Sequence, residues 1–183
     1  MVACADCTTE AFRIQWTLPL PRRRNEELMT ESEQLVQATI RSGGATLCAA
    51  DGGELVYRLT GRGISALLTA VEEECVVSHG PLDWGDKLVG RAAALLFALV
   101  HPRSVFALTM SAGAQDVLRT AGIPFACDAA ILDVLNQTGT GPCPMETAVS
   151  GIDEPLAALE TLKQVSQALS ETGRNHAPRK GST

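Results

Sequence analysis

Apolar positions along the chain repeat at helical spacing in several stretches, separated by polar and glycine-rich segments. The first predicted helix begins with a capping box formed by Thr30 and Glu33, and it ends at a pair of glycines. A second helix is predicted around Ile64–Val71, and a third runs from Lys87 to about Val100 with Asp86 as its cap. A fourth lies between the cap Ser111 and Gly122, and a short fifth runs from Ala129 to about Asn136. The last helix is capped by Asp153, and its apolar face runs from Leu156 to Leu169.

The remaining apolar stretches have the lengths and flanking residues of strands. Residues 45–50 and 54–59 flank Asp51-Gly52-Gly53, which predicts a β-hairpin. Ser104–Met110 predicts a buried strand, and Phe125–Cys127 predicts another after the intervening helix. Because a strand–helix–strand unit normally crosses over right-handed to a parallel strand, the sequence predicts an α/β fold, a three-layer α/β/α sandwich with a mixed sheet.

These patterns are confined to the middle of the chain. We interpret residues 1–28 as a flexible N-terminal extension, residues 29–170 as a single domain and residues 171–183 as a disordered polar tail. Cys4 and Cys7 have the spacing of metal ligands, but no second such pair exists in the sequence. We therefore interpret them as two reduced thiols on the extension.

Composition excludes several classes of function. The 183 residues are 45% hydrophobic but only 4% aromatic, so the core must consist largely of small aliphatic side chains. A formal net charge of −6 argues against a nucleic-acid partner. No apolar run approaches the about 20 residues needed to span a bilayer, and the start lacks the pattern of a signal peptide. We expect a cytoplasmic protein, without a membrane partner, whose cysteines are mostly reduced.

Two predicted helix starts are candidates for holding an anion, because first-turn amides and the helix dipole attract negative charge. At one of them, Asp86 and Lys87 add a carboxylate and an ammonium group close to Gly90. At the other, Ser111 and Gly113 are small enough to leave the backbone accessible. The alternative is structural, with Asp86 and Ser111 as helix caps, Lys87 as a solvated side chain and Gly90 as a packing contact.

The segment TGTGPCPME at 138–146 predicts a stiff, tight loop, because its two glycines permit unusual backbone angles and its two prolines stiffen the residues next to them. Such a loop presents Cys143 at the start of a helical turn, where the helix dipole favours a thiolate. Glu146 is expected beside Cys143, as a base or as an anchor of the loop. The alternative is that Cys143 only fills a small apolar contact.

Three stretches, GDKLVGRAAAL at 85–95, NQTGTGPCPME at 136–146 and GID at 151–153, together resemble the DUF1893 family of prokaryotic proteins, whose activity is unassigned. The resemblance extends from about residue 30 to about residue 169. It implies a cytidine-deaminase-like fold, with a cleft at the helix starts over which the loop of Cys143 folds as a lid.

The deaminase resemblance raises the question of zinc. Zinc deaminases use H-x-E or C-x-E followed by P-C-x-x-C, so that three ligands hold the metal. Neither the three histidines nor any cysteine is followed two positions later by glutamate, and the segment PCPME at 142–146 ends in glutamate where a cysteine is required. The sequence therefore argues against a zinc deaminase, and we expect no metal and no cofactor.

The favoured hypothesis is a cleft that binds a nucleotide or another phosphorylated small molecule. The catalytic candidates are Cys143, Asp86 and Lys87, and the candidate ligand contacts are Ser111, Gly113, Gly90 and Glu146. The alternative is a non-catalytic regulatory or structural binding module, with a homodimer formed through the apolar face of the helix at 87–100. A third hypothesis is a redox sensor in which Cys143 pairs with Cys127 or Cys48.

Overall fold

The computed structural model describes residues 29–61, 64–72 and 79–175, with side chains as far as 171. In chain order the elements are α1 Glu31–Arg41, β1 Leu47–Asp51, β2 Glu54–Leu59, α2 Ser65–Glu72, β3 Asp83–Val89, α3 Arg91–Val100, β4 Ser104–Ser111, α4 Ala112–Thr120, β5 Phe125–Ile131, α5 Pro144–Ala148 and α6 Pro155–Asn175. The predicted extension with Cys4 and Cys7 lies outside the described residues. Among the described helices, none has both the length and the apolar character needed to cross a membrane.

The strands form a five-stranded mixed sheet with the order β2-β1-β3-β4-β5. Strand β1 pairs antiparallel with both β2 and β3, whereas β3, β4 and β5 run parallel to one another. The predicted α/β fold with a mixed sheet is therefore confirmed. The carboxyl ends of the three parallel strands lie at the same end of the sheet, and α3 and α4 begin there.

Hydrophobic residues are buried on both faces of the sheet. On one face α1 covers Cys48, Ala50 and Phe106. On the other face the other long helices enclose a larger core, in which Trp84 lies between Tyr57 and Phe97 with ring centroids 5.8 Å apart on each side. The alternation of small aliphatic side chains along β1 and β4 places successive residues in the two cores, as a strand buried on both faces requires.

Helix α3 is covered by other parts of the same chain, as its apolar sequence predicts. Every residue from Ala92 to Ala98 is at most 9% exposed, and α2, α4 and α6 all pack against this helix. The apolar face that the sequence suggested for a homodimer is therefore already covered within one copy of the chain.

Local sequence signals place several element ends correctly. Thr30 and Glu33 form the predicted capping box at the start of α1. Gly52 and Gly53 have φ values of 54° and 81° and form the two-residue turn of the β1–β2 hairpin. Ser111 caps α4 through the amide of Ala114. Such signals succeed because the residues that carry them contact only their neighbours in sequence.

One predicted helix begins later than expected and another is absent, because strand pairing overrides local propensity. Residues 87–89 belong to the central strand β3, so Asp86 caps nothing and α3 begins only after Gly90. Residues 129–131 extend β5, where Ala129 pairs with Thr109 of β4, and no helix follows as far as residue 136. In both stretches the ladder with a neighbouring strand satisfies the backbone, which sequence spacing does not reveal.

The last helix differs from its prediction at both ends. Glu154, rather than Asp153, accepts the hydrogen bond from the amide of Ala157 at a distance of 2.8 Å. Leu156 and Leu169, which the prediction places on the apolar face, are 61% and 47% exposed. Helix α6 continues to Asn175, so the first part of the predicted tail is helical.

Candidate functional site

A cleft of about 610 Å³ opens at the carboxyl ends of β4 and β5. The floor is the end of β4 with the start of α4, and one wall is formed by the loop after β5 together with α5. The side chains and backbone that line it belong to Arg91, Ser111, Gly113, Leu132, Asp133, Val134, Leu135, Gly139, Thr140, Gly141, Pro142, Glu146, Thr147 and Ser150. Four predicted parts of the site therefore line the same cleft. They are Ser111, Gly113, Glu146 and the loop that contains Gly139 and Gly141, called the glycine loop below.

The glycine loop is closed by its own hydrogen bonds. The amide of Cys143 donates to the carbonyl of Val134 at 3.0 Å, and the amide of Asn136 donates to the carbonyl of Gly141 at 2.9 Å. The side-chain oxygen of Asn136 accepts from the amide of Thr140 at 3.0 Å, and Gly139 supplies the positive φ of 69° that the turn needs. The loop is thus a tight, hairpin-like turn.

Glu146 reaches away from its own helix and caps α3. Its two carboxylate oxygens accept from the backbone amides of Arg91 at 2.8 Å and Ala92 at 3.1 Å. Gly90, the N-cap residue, has no side chain to do this. A Cβ added at Gly90 would overlap Glu146 Oε1 and lie 2.7 Å from its carboxyl carbon. Glycine at 90 is therefore what allows the carboxylate to reach the helix start.

Arg91 fastens the segment after α5. Its guanidinium donates to the carbonyl of Val149 at 3.2 Å and to the carbonyl of Ile152 at 2.7 Å, and it forms an ion pair with Asp153. The Nη1 atom makes no hydrogen bond to the described residues, and Arg91 lines the cleft. Arg91 is not among the residues predicted from the sequence; its position next to Gly90, in the first predicted helix start, is the signal that could have found it.

The start of α4 forms the floor of the cleft. Ser111 is 2% exposed, and its Oγ accepts from the amide of Ala114 at 3.1 Å. Gly113 faces the cleft, and a Cβ added to it would meet the nearest atom, the Cβ of Arg91, at an ordinary distance of 3.5 Å. The first amides of a helix have no partner within the helix, so this floor presents donors and the positive end of a dipole.

The three catalytic candidates do not line this cleft. Asp86 and Lys87 lie within β3, where Asp86 pairs with Leu47 of β1 and with Ala107 of β4. Cys143 is the N-cap residue of α5, half-buried, with its carbonyl accepting from Thr147. The structure therefore places Asp86 and Lys87 apart from Ser111, Gly113 and Glu146, whereas Cys143 lies at the start of the helix that carries Glu146 but does not line the cleft.

Asp86 has an altered acidity because of its position in the sheet. Burial raises the pKa of this carboxyl from 3.8 to about 7, although hydrogen bonds from the backbone of Leu88 and Lys87 act in the opposite direction. Its neutral form is consequently favoured in the folded protein over most of the acidic range.

The described cysteines are all free thiols. Burial raises the pKa of the Cys48 thiol to about 12 and also raises the pKa of Cys127. Cys48 lies on β1 and Cys127 on β5, with β3 and β4 between them. Three inter-strand spacings separate the two residues by roughly 14 Å, twice the about 7 Å that a disulfide tolerates between Cα atoms. Cys48 and Cys127 therefore cannot pair within one copy, and the pairing of Cys143 with either of them stays a prediction.

A zinc ion does not fit the helix starts beside the cleft. The start of α3 reads Gly90-Arg91-Ala92 and that of α4 reads Ser111-Ala112-Gly113, so neither supplies a thiolate or an imidazole. In the part of the chain that the structure describes, no three His, Cys, Asp or Glu side chains form a group able to hold a metal.

The family described as a domain of unknown function, DUF1893, matches residues 35–165. The crystal structure of a DUF1893 family protein from Thermotoga maritima is similar to the present fold, with a TM-score of 0.65 and 21% sequence identity. The alignment covers 75% of this chain and 91% of that one. At this identity the likeness concerns the fold alone. No curated protein matches the chain.

We predict that Glu146→Ala lowers the free energy of unfolding by about 2 kcal/mol, because two helix-start amides lose their acceptor and the α5 segment loses its anchor. Urea denaturation measures the change, and hydrogen exchange should show faster exchange at 143–150. The matched control is Glu154→Ala, which removes only an exposed cap on α6. Equal destabilisation by the two variants would contradict this role of Glu146.

We predict that Gly90→Ala and Glu146→Ala are strongly non-additive. The new Cβ displaces the carboxylate of Glu146, so most of its cost should disappear once Glu146 is already alanine. A double-mutant cycle from urea denaturation should give a coupling of about 1 kcal/mol or more. Additive effects would mean that Gly90 and Glu146 act independently.

We predict that the protein loses stability as the pH rises towards 7 because of Asp86. The pKa of Asp86 is about 7 in the folded protein against an ordinary value of 3.8. The contribution of this carboxyl to the free energy of unfolding is therefore fully present below pH 3.8 and is lost as the pH rises through about 7. The slope should reach up to about 1 kcal/mol per pH unit. Urea denaturation between pH 5 and pH 8 should show a flatter profile for Asp86→Asn, whereas the exposed control Asp133→Asn should keep the wild-type profile.

Proposed function

The chain belongs to the DUF1893 family, as its motifs predict, and we propose that its cleft binds a nucleotide or another phosphorylated small molecule. The observation that carries the proposal is the convergence of donors on one side of the cleft. The start of α4 at Ser111 and Gly113 lies on the same cleft as Arg91, whose Nη1 makes no hydrogen bond to the described residues. Backbone amides at a helix start and a guanidinium are the groups that bind phosphate in proteins.

The internal cap on α3 directs an anion to α4. Glu146 already accepts from the first amides of α3, so that helix start carries a carboxylate of the protein itself. A phosphate placed there would meet a like charge. The start of α4 has only the neutral hydroxyl of Ser111 as its cap, and it therefore remains the favourable position for the anionic group.

The other lining residues fit the rest of a nucleotide. Asp133 and Glu146 provide carboxylates that can accept hydrogen bonds from hydroxyl or amino groups. Val134 and Leu135 provide an apolar surface for a flat ring. A cleft of about 610 Å³ is within the range of 300–1,000 Å³ that is roughly usual for small-molecule sites.

Binding without catalysis is the form of the proposal that the geometry favours. Cys143, Asp86 and Lys87 are the residues that a catalytic role would use, and none of them lines the cleft. We therefore propose a regulatory or structural binding module rather than an enzyme. A cytoplasmic location remains part of the proposal, supported by the free thiols of the described cysteines.

We further propose that the fold is cytidine-deaminase-like. Support comes from the mixed sheet, with one antiparallel hairpin and three parallel strands. It also comes from the two helices that begin after β3 and β4, at the carboxyl ends of these strands. A fold of this kind would hold its ligand at these helix starts, where the cleft lies. The proposal concerns architecture only, because the zinc ligands of a deaminase have no counterpart at these helix starts.

We predict that Gly113→Asp weakens nucleotide binding by about tenfold or more, because its carboxylate would occupy the positive end of α4. The matched control Gly113→Ala should bind like the wild type, since the added Cβ meets only an ordinary contact at 3.5 Å. Titration calorimetry with nucleoside monophosphates and with inorganic phosphate measures both. Lys87→Ala removes a positive charge away from the cleft and should leave binding unchanged.

Two results would overturn the proposal. One is wild-type protein that takes up none of these ligands saturably. The other is a Gly113→Asp variant that binds as tightly as Gly113→Ala. A loss of binding in Lys87→Ala would instead move the site to β3.

A further inference from the structure

Strand β5 forms an edge of the sheet, and within the described residues only β4 pairs with it. We propose that its outer edge pairs antiparallel with β5 of a second copy of this chain, which gives a two-fold dimer with one continuous sheet. This inference does not rest on ligand binding in the cleft. It rests on three properties of β5. Its outer edge has no bulge, its one charged residue is in an ion pair, and its side chains are compatible with those of an identical strand that runs antiparallel to it.

Apart from one charged residue, the edge lacks the features with which proteins usually prevent strand pairing. The strand reads FACDAAI at 125–131 and contains no lysine, proline or glycine. Its register with β4 is constant, from Val105 opposite Phe125 to Ser111 opposite Ile131, so no bulge twists it away. Edge strands that remain solvated normally carry charges, prolines or bulges. The other edge strand, β2, carries the charged residues Glu54 and Arg58.

The one charge on β5 is already paired. Arg41 of α1 donates to both carboxylate oxygens of Asp128, at 3.0 Å and 2.7 Å. This bidentate ion pair lies on the face of the sheet that α1 covers, and both side chains are about half-exposed. A two-fold pairing centred on Asp128 would bring two such ion pairs together, so that each carboxylate has a guanidinium beside it.

A second copy fits because the strand is compatible with its own reverse. In the register centred on Asp128, Phe125 lies opposite the partner's Ile131, and Ala126 lies opposite the partner's Ala130. Apolar side chains then meet apolar ones on one face, and alanine meets alanine on the other, where Ala126 and Ala130 are exposed in the single chain. An isologous interface requires this self-complementarity, and an unrelated partner strand does not.

The same register covers an exposed apolar side chain next to the strand. Leu132 is 76% exposed, the largest exposure among the large hydrophobic residues of the described chain. It would lie opposite the partner's Pro124, which is also exposed in the single chain. Removing both apolar side chains from water would favour the pairing.

The test uses two double variants of the full chain that change the same exposed positions. A126K/A130K places lysine opposite lysine twice, whereas A126E/A130K places glutamate opposite lysine twice. Light scattering after size-exclusion chromatography, over a range of concentrations, gives the dissociation constant. We expect a wild-type dimer, a constant raised by about tenfold or more in A126K/A130K, and a dimer retained in A126E/A130K. Circular dichroism checks that both variants are folded.

Several outcomes would overturn the inference. Wild-type protein that stays monomeric at about 100 μM would exclude a stable dimer of the usual micromolar kind. A dimer that survives in A126K/A130K would place the interface elsewhere. Loss of the dimer in both variants would exclude this register. Hydrogen exchange of β5 in a monomeric sample adds a further check, since protection of all its amides would show that another segment of the same chain covers the edge.

Discussion

The contact between the Glu146 carboxylate and the start of α3 is the interaction on which the arrangement of the cleft depends. Helix α3 begins at a glycine, which has no oxygen with which to cap its first amides. The missing acceptor comes from a residue more than fifty positions later in the chain. Because the first amides of a buried helix need a partner, this contact fixes the α5 segment, and with it one wall of the cleft, against the start of α3.

The sequence predicts the elements whose ends are decided by neighbouring residues. The capping box at Thr30 and the hairpin turn at Gly52 and Gly53 are of this kind. The central strand β3 is not, because Gly85, Asp86 and Lys87 interrupt the apolar run that marks a buried strand. That segment is a strand because β1 and β4 pair with it on both sides, and a contact between distant segments has no signature in local spacing.

The candidate site shows the same division. Ser111 and Gly113 follow from a strand that leads into a capped helix, and the structure brings them to the cleft. Glu146 also lines the cleft, but its carboxylate is held by the first amides of α3 and not by a contact with Cys143. Arg91 escapes notice because an arginine in a helical run reads as a solvated side chain, whereas its role depends on the carbonyls of a segment about sixty residues away.

The three stretches that carry the family resemblance contact one another beside the cleft, through hydrogen bonds and an ion pair. The first supplies Gly90 and Arg91, the second supplies Glu146, and the third supplies Asp153. Glycine lets the carboxylate approach, the carboxylate caps the helix that begins with the arginine, and the arginine holds the chain just beyond the carboxylate. Residues so widely spaced in sequence meet only if α3, α5 and the start of α6 are placed together. The motifs therefore specify the shape of a cleft wall, and in the described residues they do so without supplying the ligands of a metal centre.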